Sequence, residues 1–530
     1  MASTPTPEPT ALATLTVATA TTTPVPAPTP TPTAQPRGPA PPFTPVPAAT
    51  PVGNMLDPRF GVAEGFRDPD VMADIGAGWE RVVISWADIQ PNGPDDFSWL
   101  GRTLPPRALA GELNRGEHMA GLLQFTPDWA ATNSDDTGRS VPRNLALPDD
   151  DPNNYWGRFV YETVRYYAGM IDEWIVWNEP EFKLGDASGT GTYTWLGSDE
   201  DFARLMQVAY LAAKRANPRA VVAFPGTSYW IDKNSGRAQF YERFLRIISA
   251  DPQAASHSFY HDAVPLNLYR APDDLVRIHD EFTQTQQRFG INDGDHPLWL
   301  LELNAMPTDD QSIPCADRHA HNPIQTSQLQ QAAYAVQALA LAAAVGYERI
   351  GFYQMVDDNP CVQSAVWGIT RDDGSRRPVA ASLQTAIHAF SGFLKLKLNS
   401  KARFTPLVRA RTGWPAWPAD PNSLTPNWQV YDVALDLPGG RRVTVLWNGD
   451  GTALRVRVPR LGSAVQAIDM YGQAISVSQV GSDWSIELPG ATAHFSGDPP
   501  GYYFIGGEPR LLFEDGVAPD APVVPPRLQS

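Results

Sequence analysis

The chain has little cysteine, little basic charge and no long apolar run. Of 530 residues only Cys315 and Cys361 are cysteines. Neither has CxxC spacing or histidine neighbours, which excludes a thiolate zinc site. They fall in two late loops, where they either pair as a disulfide in an oxidising compartment or stand as separate thiols. Lys and Arg number 41 against 58 Asp and Glu, a net charge of -17, and no basic cluster offsets this. Nucleic acid and anionic membrane surfaces are therefore excluded as partners. No stretch of about 18 apolar residues is present to span a bilayer. No Gly-rich phosphate loop follows an apolar run, and no Gly-x-Ser-x-Gly elbow appears, which argues against nucleotide binding and esterase chemistry. His319 and His321 form an HxH pair with no carboxylate pattern to complete it, so neither a metal nor a cofactor is expected.

Hydrophobic residues make up 42% of the chain and aromatic residues 10%, enough to exclude a wholly disordered protein. Residues 1–53 are almost pure Pro, Thr and Ala, a composition that buries no core and stays extended. The first ten residues lack the basic and apolar regions of a signal peptide. The tract is expected to tether an extracellular or cell-surface protein, with the leader lying outside this sequence.

From 54 to 393, short apolar runs alternate with amphipathic helical stretches. The runs are 59–62, 81–86 (RVVISW), 119–125 (MAGLLQF), 173–177 (EWIVW), 220–224 (AVVAF), 263–269 (AVPLNLY), 298–301 (LWLL) and 350–354 (IGFYQ). Continuous rather than alternating apolar runs fit parallel strands covered on both faces. Between them, Phe202, Leu205, Met206 and Ala209 recur at helical spacing behind a capping-box start at Ser198 and Asp201. Residues 328–345 form a long Ala/Leu helix. Eight such units predict a (β/α)8 TIM barrel with enlarged loops, ahead of an open doubly wound sheet. Beyond 394, short strands at 428–435, 442–447, 454–458, 464–470 and 484–488 alternate with Gly-rich turns. They predict a C-terminal antiparallel β-sandwich over 394–513, followed by a frayed tail at 514–530.

Reactive groups of such a barrel gather where strands end. The fourth run ends WNEPEF, placing Asn178 and Glu179 past the apolar residues, and the seventh ends LLELN, placing Glu302 there. One such carboxylate alone is most simply a salt-bridged rim residue. Two on facing strands can converge on one group, one donating a proton to a leaving oxygen while the other attacks. Their proximity would also separate their pKa values.

Asn-Glu-Pro after strand four with Glu after strand seven resembles clan A of the glycoside hydrolases. The TPDWA segment at 126–130 and the late β-domain make family 39 the nearest likeness, with family 5 behind it. The resemblance implies a retaining enzyme with Glu179 as acid/base, Glu302 as nucleophile and Asn178 on the sugar 2-hydroxyl. It also implies Tyr269 bonded to Glu302, and Arg81 beside the nucleophile unless Arg81 is a structural residue at the barrel bottom. Strand eight reads Phe352, Tyr353, Gln354 where many members carry a tryptophan, so Tyr353 or Trp367 is expected to form the sugar platform. Asn267 and Gln124 stand where histidines are frequent. Trp86, Trp129, Trp177 and Trp195 are further candidates for lining subsites, each more often core, and Glu181 reads as a rim residue. The expected partner is a carbohydrate. A catalytically silent glycan-binding protein and a transglycosylase are the alternatives.

Overall fold

The computed structural model describes residues 56–99, 106–134, 137–183, 193–313, 326–358, 366–392, 430–493, 503–518, 521 and 526–528. The 1–53 tract, both cysteines and the His319–His321 pair lie outside the described residues.

Eight strands are expected in the barrel and eight form it: β1 (Asp57–Ala63), β2 (Ala77–Ser85), β3 (His118–Gln124), β4 (Glu173–Val176), β5 (Val221–Ala223), β6 (Val264–Leu268), β7 (Leu298–Leu303) and β8 (Arg349–Phe352). All neighbours are parallel, and β1 pairs with both β2 and β8. Closure between β5 and β6 comes from Asp262 N donating to Val222 O at 2.7 Å and Phe224 N to Ala263 O at 2.9 Å. A two-residue strand, Thr227–Ser228, adds to β6 at the C-terminal end. The fold is a (β/α)8 barrel.

Period-two alternation sorts each strand between barrel interior and helix layer. Trp79, Leu122, Ile175, Trp299 and Leu301 fill the interior, whereas Val82, Ile84, Trp174, Val176, Leu266 and Leu300 pack outward. The long helix Gln328–Val345 is buried on every side from Gln331 onward. A helix apolar all round needs cover on both flanks. The barrel covers one flank, and the C-terminal domain covers the other. The Gln337 side chain donates to Gly507 O at 3.0 Å and accepts from Gly506 N at 3.1 Å.

That domain is a sandwich of two four-stranded antiparallel sheets. One holds β9 (Val430–Leu437), β10 (Arg441–Asn448), β12 (Ala464–Asp469) and β15 (Arg510–Asp515) in the order β9-β10-β15-β12. The other holds β11 (Leu454–Pro459), β13 (Ser478–Val480), β14 (Asp483–Leu488) and β16 (Arg527–Leu528) in the order β13-β14-β11-β16. The expected fraying after Phe513 is corrected here. β15 runs on to Asp515 because Glu514, 1% exposed, accepts from Leu461 N, Gly462 N and Trp484 Nε1 at 3.0, 3.1 and 2.8 Å. β16 then closes the second sheet against β11. Among the described residues, no helix is long and apolar enough to cross a membrane.

Candidate active site

Glu302 reaches the barrel mouth through a bulge. On β7, Trp299 and Leu301 point inward, so strict alternation would turn Glu302 out toward the helices. Leu300 pairs with Leu266, but Asn267 pairs with Glu302, so two residues of β7 oppose one of β6. The extra residue resets the alternation and puts Glu302 on the inner face with Leu301.

A comparable reset acts on β4. Ile175 points inward and Val176 outward, so Trp177 should face the mouth. Its backbone is left-handed instead, with φ 70°, and its indole is buried in the outer layer, with Nε1 donating to Thr194 O at 2.9 Å. Such a φ is rare for a bulky residue and is retained only where the surroundings enforce it. The turn delivers Asn178 and Glu179 to the mouth, Glu179 itself at φ 49°. Gly226 O accepts from Glu179 N at 2.8 Å, and the Thr194 hydroxyl donates to Glu179 O.

The groups meet over one hollow. Arg81 projects from β2 on the same face as Trp79, and its Nη2 lies 3.3 Å from Glu302 Oε1. The alternative of an arginine at the barrel bottom is thereby excluded. The Tyr269 hydroxyl donates to Glu302 Oε2, so each carboxylate oxygen has its own donor. Asn267 Nδ2 donates to Glu179 Oε1 at 3.0 Å and to Asn178 Oδ1 at 3.1 Å. Asn267 is the register partner of Glu302, so one amide links the strand pair that carries Glu302 to the carboxyl of Glu179. Glu179 is half-buried and Glu302 6% exposed; both face the same opening.

Burial, and next the negative charge of Glu302, push the Glu179 carboxyl up to about 8, against smaller lowering by the Asn267 hydrogen bond and Arg81. Near neutral pH Glu179 is thus a proton donor. Burial and the Glu302 charge also hold the Tyr269 phenol well above its ordinary range, so its proton stays available to Glu302.

The β8 end supplies aromatic surface. Tyr353 is half-buried, its ring edge-on to Tyr269 at 6.1 Å and under the Arg81 guanidinium at 5.8 Å. The Trp367 ring lies 4.9 Å from that of Tyr269. Asn304, fully buried, fixes both segments by donating to Tyr353 O and, at 2.8 Å, to Trp367 O. Behind Trp367, Arg377 pairs with Asp357 at 2.7 Å and donates to Gly368 O at 2.6 Å, wholly inside the protein. Breaking such a buried pair costs about 3–5 kcal/mol, so this loop is firmly held.

Two readings, of Trp86 and of Glu181, need correction. Trp86 is fully buried, stacked on Phe159 and bonded through Nε1 to Gln90 Oε1 at 2.7 Å. It begins a short helix after β2 that turns the ring into the core, so it cannot stack a sugar. Trp177 and Trp195 are equally sealed. Trp129 stays half-buried, edge-on to Trp86 at 5.9 Å. Glu181 is no rim residue: the turn at Glu179 carries it back beneath the loop, 0% exposed, where it accepts from Ser228 N. Burial and the nearby Glu179 charge hold its carboxyl well above the usual range. Gln124 ends β3 opposite Ser85, 8% exposed, with no hydrogen bond to either glutamate among the described contacts.

Asn267 and Asn304 are the residues that spacing alone did not assign. Asn267 lies two positions before Tyr269 on the same inward face, and that alternation was the available signal. Among the described residues, a carboxylate group fit for a cation lies elsewhere. Glu80, Glu112 and Glu117 bring oxygens within 4.8 Å of one another on the outer side of β2, where Arg115 pairs with Glu112 and Glu117.

Gly226 packs directly against the Asn267 side chain. A Cβ there would come within 2.5 Å of Asn267 Oδ1. Gly226→Ala should push Asn267 off Glu179, lowering kcat/KM by roughly 10². The alkaline limb of the pH profile should move upward, since the lost hydrogen bond favoured the ionised form. A pH–rate profile with an unmoved alkaline limb would contradict this role for Asn267.

With this geometry in place, solved structures provide a comparison. The chain is similar to a family 39 glycoside hydrolase from the gut symbiont Bacteroides cellulosilyticus WH2, with a TM-score of 0.58 and 12% identity over 87% of this chain and 81% of that one. It also matches a glucosidase from Croceicoccus marinus, with a TM-score of 0.52 and 14% identity over 88% and 98%. A family 39 β-xylosidase from Caulobacter crescentus gives 0.51 and 14% over 88% and 98%. The fold is theirs. No family model matches the sequence, and no curated protein matches it. The glucosidase and the β-xylosidase are named for different sugars, so the shared fold carries no specificity.

Proposed function

We propose that the chain is a retaining glycoside hydrolase acting on an oligosaccharide or polysaccharide. The observation that carries this reading is the link through Asn267. It brings a carboxyl that holds its proton to about pH 8 and a carboxylate clamped by Arg81 and Tyr269 onto one opening.

Glu179 protonates the glycosidic oxygen as the bond breaks, and Glu302 attacks the anomeric carbon to form an ester. The two donors on Glu302 fix the plane of its carboxylate and hence the direction of attack. A nucleophile that bonds to carbon needs this, whereas a base working through a mobile water needs it less. Asn178 Oδ1 is occupied by Asn267, which leaves the Asn178 N–H groups for a sugar hydroxyl.

The second step follows from electrostatics. Part of what raises Glu179 is the Glu302 charge, and esterification removes that charge. Glu179, having given its proton to the leaving group, then stays ionised more readily and serves as the base that takes a proton from the attacking water. Tyr353 and Trp367 offer ring faces for the sugar.

The test is a panel of aryl glycosides, with proton NMR on the first product of any substrate turned over. Retention of anomeric configuration is expected. Inversion would assign Glu302 as a base, and binding without turnover across the panel would favour a silent glycan-binding protein.

A further inference from the structure

Phe125 is one of two large apolar side chains that stand exposed among the described residues, at 38%. It directly follows β3, beside the acid/base strand: Leu123 pairs with Val176, and Trp177 N donates to Leu123 O at 2.9 Å. Its backbone is left-handed, with φ 71°. That conformation is unfavourable for an aromatic residue. It is fixed from below by Ala87 N donating to Phe125 O at 3.1 Å. A residue in a disfavoured conformation that exposes rather than buries its ring gains nothing for the core. Strain of this kind gathers at functional sites.

The surroundings leave the ring open. Gly138 lies against one edge, where a Cβ would just touch Phe125 Cδ1 at 3.6 Å, and the rest of the side chain accounts for its 38% exposure. Trp129 follows four residues later on the same loop, half-buried, with its Nε1 tied to Gln90 O at 2.7 Å. In the closed barrel, β3 lies across the mouth from β7, so Phe125 stands on the side of Glu179 away from the nucleophile. A group protonated by Glu179 departs toward that side.

Resting on the reading of the site as a glycosidase, we propose that Phe125 is a stacking platform for the leaving-group sugar. The apolar C–H face of a pyranose or furanose ring would lie on its exposed ring, next to the sugar that becomes bonded to Glu302. The substrate class is accordingly one with a sugar, rather than a small aglycone, on the leaving side.

The experiment compares two substrates of the sugar that the glycoside panel identifies. They are its glycosyl fluoride, which has no leaving-group sugar, and a matching oligosaccharide. For Phe125→Ala, kcat/KM on the oligosaccharide should fall about tenfold more than on the fluoride. Phe125→Trp should restore the ratio, because it supplies a larger face. An unchanged ratio, with both substrates still turned over, would overturn the platform. Equal losses on both substrates without rescue by Trp would overturn it too, and would show that Phe125 only shapes the loop. Failure of the unaltered chain on both substrates would sink the glycosidase reading and this inference with it.

Discussion

Glu302→Ala is expected to abolish turnover, with kcat falling by ~10⁴ or more, as when a covalent nucleophile is removed. Stability should change far less. Arg81 loses its partner at 3.3 Å and stays largely buried, so the thermal midpoint should fall by several degrees while the protein remains folded. The cavity left on the inner face of β7 admits a small anion. Azide should therefore restore turnover of an activated aryl glycoside and yield a glycosyl azide of inverted configuration. Recovery of the ordinary sugar product without azide would show that Glu302 is not the nucleophile.

The second large effect lies in the pH profile. Glu179 is raised from the ordinary glutamate range to about 8, first by burial and then by Glu302. The proposed mechanism needs it protonated in its first step, so kcat/KM should fall as pH rises through about 8. The same shift bears on stability. Folding favours the protonated carboxyl, so this contribution is full below the unfolded value near 4.5 and is lost as pH climbs toward 8. Glu302→Gln removes the second cause and leaves the first. In that variant Glu179 should titrate below its position in the parent chain yet remain above an ordinary glutamate. Carbon-13 NMR of the labelled carboxyl reads this directly. An unmoved titration in Glu302→Gln would mean that the two groups do not interact across the mouth.

The eight barrel strands were legible because parallel strands under helices must be apolar on both faces, and each run stands out against polar loops. Glu179 and Glu302 were legible for a related reason, since a charge at the end of such a run breaks the pattern visibly. What escaped was the outcome of backbone resets. The bulge at Leu301–Glu302 and the left-handed turn at Trp177 decide which way side chains point, and neither leaves a compositional trace. Trp86 shows the consequence: a tryptophan at a strand end looks like a sugar platform until one helical turn buries it. The last strands of the sandwich were hidden by their proline-rich surroundings. Glu514 in β15 reads as a polar tail residue, yet three donors, two of them buried, hold it in place.

Labelling with a 2-deoxy-2-fluoro glycoside, followed by peptide mass spectrometry, bears most directly on how this hollow works. The fluorine slows both steps, and a good leaving group lets the adduct accumulate. The added mass should appear on the peptide holding Glu302, on its side chain. An adduct on Glu179 or another carboxylate, or steady turnover with none, would contradict the assignment.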